Sequence, residues 1–288
     1  MTLTESLSAR VGASAVRAII STSATFRQFL CYSLTTISHA IGGTIGLVKN
    51  GVHDLTLTGG ANYTGPTIIN QGQLIISSIV TLNGVISGSG RIYKSGSHAI
   101  TIGGNNTYSG GTISAGGTIT YLSSNAFGTG SFTAQTASQI ITGQAVNLPN
   151  NFIVNAGATL QYRTTGAPTI TVSGTISGSG SINKSGNGYL DLTVATLTYT
   201  GGTTIQGGFI RAKKTVGAST ATATFQSGNL SLVVSFNVPP PSGTTNFRFF
   251  LGTTTQTYTS GVITLVGLPA GSSATYTSAT STLAVTVL

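Results

Sequence analysis

The sequence predicts an all-β fold of short strands stacked as successive rungs around one elongated core. Three observations carry that prediction. The stretch "GVISGSGRIYKSG" at residues 84–96 returns almost letter for letter as "GTISGSGSINKSG" at residues 174–186. Apolar and threonine residues alternate with a period of two after each copy, between turns rich in glycine and asparagine, which is the pattern of half-buried strands. The composition, with 40 Gly, no Trp and 5% charged residues, offers no helix-forming bias and builds its surface from Thr, Ser, Asn and Gly.

Three regions follow in chain order: an anchoring arm over residues 1–40, a repeat domain over 41–223 and a β cap over 224–288. In the arm, Leu7, Val11, Val16, Ile19, Ile20, Phe26, Leu30 and Leu34 fall near helical spacing, and Thr2 to Glu5 reads as a capping box. The arm is therefore expected to be partly helical, with an extended chain as the rival.

In the repeat domain, aligning the lysines of "GLVKNG", "RIYKSG" and "SINKSG" places Lys49, Lys94 and Lys184 at separations of 45 and 90 residues. The second gap is twice the first, so one cycle is unrecognisable around Gln139. Each lysine is followed by alternating residues, a turn, and then Tyr, a small residue, Gly and Thr, as in "YTGPT", "YSGGT" and "YTGGT". One such unit has too little apolar face to fold alone, so its inward residues must stack on those of its neighbours. The "SGSG" reads as a corner recurring on each rung, where glycine permits a positive φ or close backbone approach. The lysine reads as an outward, solubilising position that also blunts edge pairing.

The skeleton "ISGSGxIxKSG" followed by "YTGGTTIxxG" resembles the autotransporter-associated β-strand repeat of secreted bacterial passenger domains and some phage proteins, over roughly residues 41–212. The resemblance implies a right-handed parallel β-helix with about 22 residues per coil, so that the ~45-residue cycle is a double coil. Eight or nine coils at a strand spacing of about 4.8 Å make a rod near 40 Å long. The first thirty residues lack a secretory core and cleavage site, and the ending "STLAVTVL" leaves no room for a translocator barrel. A structural protein that uses the repeat outside secretion is therefore expected.

Beyond about residue 224 the repeat stops. "PPPSG" at 239–243 is a stiff turn, and the alternating tail predicts a small antiparallel β-sandwich or cap.

Charge and chemistry narrow the function. A net charge of +9 favours acidic partners: an acidic protein surface such as a capsid shell, met through the N-terminal arm, with a host glycan as a further candidate. Nucleic acid is not expected, because Arg211, Lys213 and Lys214 alone are bunched. No stretch reaches the roughly 18 apolar residues of a membrane span. The single Cys31 excludes an internal disulfide. Of the three acids, Asp54 and Asp191 lie 137 residues apart, about six coils or roughly 30 Å along a rod, whereas paired glycosidase carboxylates stand about 5–10 Å apart. His53 and His98 follow Lys49 and Lys94 at the same offset and are expected to stack on one face as surface positions, and neither they nor His39 has the ligand cluster a metal needs. No catalytic, cofactor or metal site is expected. The sequence is read as a non-enzymatic bacteriophage structural protein on the virion surface, a capsid decoration (cement) protein or tail spike or fibre, self-associated as a trimer. The alternative is a secreted or cell-surface bacterial adhesin, or a passenger fragment binding host glycan or protein.

Overall fold

Strands of three to six residues, each inward apolar and outward polar, have one way to bury their single apolar face: against the same face of the strands one circuit away. In the computed structural model, which describes residues 18–22, 26–31, 33–229, 231–252, 254 and 263–287, the chain does this as a parallel β-solenoid. Two of its faces are nine-stranded parallel sheets. Face one runs from Thr35–Ile37 to Thr196–Leu197 and face two from Ile41–Gly43 to Thr203–Ile205. Face three starts with Phe26–Cys31, Gly46–Asn50, Thr67–Ile69 and Ile86–Ser87, and resumes at Val146–Leu148, Thr169–Val172, Tyr189–Asp191 and Phe209–Val216. Between these, residues 107–109 and 127–129 lack strand geometry but keep the rung bonds, Thr107 N to Ile86 O at 2.8 Å and Thr129 N to Tyr108 O at 2.9 Å.

Coil length follows from register. Leu74 pairs with Ile92, 18 residues on, whereas Phe152 pairs with Ile176, 24 residues on. The longer coils follow the stretch where the lumen is filled by rings: Phe127–Phe132, Phe132–Phe152 and Phe152–Tyr162 stand with centroids 4.9, 5.4 and 5.7 Å apart. This is where the 45-residue cycle fades from the sequence. Aromatic fill replaces the Ile and Leu ladder there, and the coil length changes with it.

Forty-five residues carry the chain through two coils and one further face. Lys49 lies in Gly46–Asn50 on face three, Lys94 in Arg91–Ser95 on face one, and Lys184 in Ser181–Ser185 on face two. The repeat therefore precesses around the rod while every strand stays parallel to its neighbours. The "SGSG" corners are as expected: Gly88 and Gly178 have φ of 100° and 101°, and a Cβ on either would sit 2.2 Å from Ile69 O or 2.0 Å from Val154 O.

The arm departs from the helical expectation. Ala18–Thr22 and Phe26–Cys31 form an antiparallel pair, and Phe26–Cys31 then pairs in parallel with Gly46–Asn50. The β-branched residues that weaken a helix here favour the strand, and the open edge of face three supplies the partner. The capping box at Thr2 to Glu5 lies outside the described residues, as do Leu7, Val11 and Val16.

At the other end the solenoid is closed by reversal. Phe209–Val216 pairs antiparallel with Ser219–Gln226, which pairs antiparallel with Leu232–Phe236, and Gly243–Arg248, Ser273–Thr277 and Thr282–Val287 form a separate antiparallel sheet. Between them the chain returns to the rod. Gly252 stacks on Gly201, and Thr254 bridges Thr203 in parallel.

Candidate functional site

The lysines that mark the repeat face inward, not outward. Lys49, Lys94 and Lys184 are each 0% exposed, and in register they stack on lumen residues, Lys94 on Ile76 and Lys184 on Tyr162. The alternation already encoded this, since "RIYK" and "SINK" put an inward Ile two positions before the lysine. The stem packs in the apolar lumen and the ammonium reaches the corner, where the backbone turns its carbonyls in. Lys94 Nζ donates to Ser95 O, Gly96 O and Gly116 O at 3.2, 2.6 and 2.9 Å. Lys184 Nζ donates to Ser185 O, Gly186 O and Gly207 O at 2.6, 2.9 and 3.4 Å, and to Thr164 Oγ1 at 3.3 Å. Lys49 Nζ donates to Asn50 O and Gly51 O at 3.1 and 2.6 Å. Each ammonium satisfies carbonyls of its own corner, and in the two later copies also ties that corner to the next rung. Burial pushes all three amines below their ordinary value, Lys184 to about 8.

A second device closes the other repeat corner. Tyr63, Tyr108 and Tyr199 are buried, and each phenol shares a hydrogen bond with the threonine four residues on: Thr67 at 2.7 Å, Thr112 at 2.5 Å and Thr203 at 2.7 Å. The returning C-terminal segment copies this corner with Phe250 in the tyrosine position. There the phenol comes from the cap instead, Tyr276 OH standing 3.0 Å from Thr254 Oγ1.

On the outside, corner grooves carry polar side chains. One of about 340 Å³ is lined by Val52, Asp54, Gln73, Ser89 and Arg91 over a glycine floor, where Gln73 Nε2 donates to Asp54 Oδ2 at 3.2 Å. A second, of about 410 Å³, is lined by Gln139, Gln161, Arg163, Ser185 and Asn187. The Gln139 amide donates to Gln161, and Gln161 Nε2 to Gln206 Oε1 at 3.3 Å. These grooves offer a ladder of hydrogen-bond donors and acceptors and no nucleophile beside a base.

The sequence-flagged acids stay apart. Asp54 immediately precedes the second strand of face one, and Asp191 lies a few residues before its ninth, seven steps later in the sheet order, or about 34 Å at the strand spacing. Asp191 is engaged: Arg211 Nη1 donates to its Oδ2 at 3.2 Å, and Thr193 donates through N and Oγ1 to its Oδ1 at 2.9 and 2.7 Å. Arg211 also lies 5.2 Å from the Tyr189 ring centroid, and Tyr189 stacks on Phe209 at 4.6 Å. His53 and His98 are both exposed but do not share a face, because their lysines lie on different sheets. Among the described residues no group of three or more His, Cys, Asp or Glu is placed to hold a metal. Cys31 is buried, and burial raises its thiol pKa against a smaller lowering by the Lys49 charge.

A family model described as the passenger-associated-transport repeat matches residues 47–76, 92–120 and 182–212. Searches of curated proteins and of solved structures gave no match. Each matched segment begins two residues before its lysine and contains its tyrosine–threonine corner, so the family signature coincides with the two internal latches. The three segments start on three different faces of one rod. The chain is a parallel β-solenoid protein that carries three copies of the passenger-associated-transport repeat.

Proposed function

We propose that this chain is a non-enzymatic rod secreted from, or displayed on, a bacterial cell, where it acts as a stiff passenger-type scaffold whose outer corners meet host-surface glycans. The observation that carries this reading is the coincidence of the three passenger-type repeats with the lysine and tyrosine latches of a nine-rung solenoid. That arrangement spends its chemistry on rigidity. The groove of Asp54, Gln73, Ser89 and Arg91 supplies the planar amide, carboxylate and guanidinium groups that hydrogen-bond hydroxyl-rich ligands, and the charge of +9 draws anionic ones. Asp54 and Asp191, seven rungs apart, cannot act as a glycosidase pair within one chain.

Fractionation of producing cells with an antibody to this chain tests the reading. Recovery from the cell surface or medium is the expected result. Co-purification with virus particles overturns it and assigns the rod to capsid decoration or to a tail spike or fibre. The glycan contact is tested by array binding, which Arg91→Ala and Gln73→Ala should weaken without altering the melting transition.

A further inference from the structure

We infer that face one is a self-association surface, occupied by the same face of a second copy related by a two-fold axis. Its central outward file reads, rung by rung in register, Thr36, Thr56, Ile75, Tyr93, Ile113, Thr133, Ile153 and Ser177. Their neighbours along each strand, such as Leu74, Ile76, Ile92, Phe132, Phe152 and Val154, are fully buried in the lumen, so these side chains point away from the rod. Ile153 is 37% exposed. Period-two alternation calls for polar residues at such positions. The equivalent file of face two obeys it, with Asn62, Thr81, Thr101 and Thr120, then Ile141, Arg163 and Ser185. Face one places three isoleucines and a tyrosine in a contiguous line instead.

Charge selects the occupant. The chain carries +9, so two copies repel through most of their surfaces. Face three presents Arg211 and Lys213 against Asp191, and face two presents Arg163. Face one bears Arg91 and Asp54 at one edge and no charge in its central file, because Lys94 is turned into the lumen. A second copy can approach there without meeting its own cations. An acidic partner would be drawn to the other two faces.

Geometry agrees. Two copies of one sheet share the same rung spacing of about 4.8 Å, so ridges of Ile and Tyr on one can settle between those on the other at about 10 Å separation, as in sandwich packing. Eight rungs by three outward files measure about 34 by 15 Å. A pair therefore covers about 1,000 Å² in total, the lower bound of a specific interface. A flat patch that meets itself is isologous and closes at two copies, whereas a three-fold ring pairs unlike patches and would set this face against a charged one.

Sedimentation velocity of the full chain across 1–100 µM (about the range in which an interface of this size is expected to associate) tests the inference. Expected are a dimer for the native chain, at least about tenfold weaker association for Ile113→Lys, and unchanged association for Thr101→Lys on face two. Native-like circular dichroism and melting establish that the variants are folded. If Ile113→Lys does not fold, Ile113→Thr with Tyr93→Ser, residue types already present in this file, should weaken the dimer in the same direction. A monomer throughout the range, a trimer, or a dimer equally sensitive to Thr101→Lys overturns the assignment.

Discussion

A buried lysine in a β-solenoid trades the desolvation of an ammonium against the carbonyls it satisfies, and at Lys94 three carbonyls share the charge. Leaving buried acceptors unmatched costs about 1–3 kcal/mol each, more than the relief of removing a partly compensated charge. Lys94→Met should therefore lower unfolding free energy by about 2 kcal/mol in urea titrations; a stabilised variant would mean that water replaces the ammonium at the corner. The pH dependence has a definite sign. Burial holds the Lys184 amine at about 8 in the folded chain, below its value of about 10.4 when unfolded. The unfolded chain thus binds more protons between those values, and stability from this group rises as pH climbs from 8 towards 10. Burial raises the phenols of Tyr108 and Tyr199, so the folded chain keeps their protons and stability falls above about pH 10. Denaturation measured from pH 7.5 to 11 should peak near 10, within about one pH unit, and Lys184→Met should abolish the rise and leave the fall. The tyrosines themselves divide into two classes. Tyr199 shares a hydrogen bond with Thr203, while the buried hydroxyl of Tyr162 has no partner. Tyr199→Phe should cost about 1 kcal/mol, whereas Tyr162→Phe should be neutral or stabilising; equal losses would contradict the corner latch.

At the scale of elements, the rungs end by turning parallel pairing into antiparallel pairing, which leaves short strands and a separate sheet over the last apolar layer. Phe225 on Ser219–Gln226 meets Phe249, Phe250 and Tyr276 at centroid distances of 5.5, 5.4 and 5.4 Å. Truncation after Ser227 removes those three rings and the strand Leu232–Phe236 together, opening both a sheet edge and an apolar layer. The truncated chain should aggregate, giving increased light scattering and dye binding at concentrations where the intact chain stays clear. The lysine element had its corner legible in the sequence and its direction misread. The position of Ile92 and Ile182 two residues earlier was the signal that the lysines face inward, and it lost to the general expectation that a lysine is exposed.

For the whole molecule, near-repetition means that one rung can be removed without breaking register. Phe132 pairs with Phe152, 20 residues on, so excision of residues 132–151 joins Ser131 to Phe152 and removes one strand from each face. The shortened rod should still unfold cooperatively, at lower temperature, and scattering should report a length reduced by about 5 Å. Loss of the folded state would show that the aromatic rungs around Phe127, Phe132 and Phe152 are not interchangeable layers. Period-two alternation, the glycine corners and the repeated lysine and tyrosine motifs by themselves determined an all-β stack of parallel rungs with a reversed cap, because these are local properties of a strand and a turn. Tertiary structure alone decided which face each repeat falls on, since that depends on coil length, and coil length changes with the side chains that fill the lumen. It also decided that the arm pairs as strand rather than coiling as helix and that the tyrosine of the last corner comes from the cap, because both depend on partners distant in sequence.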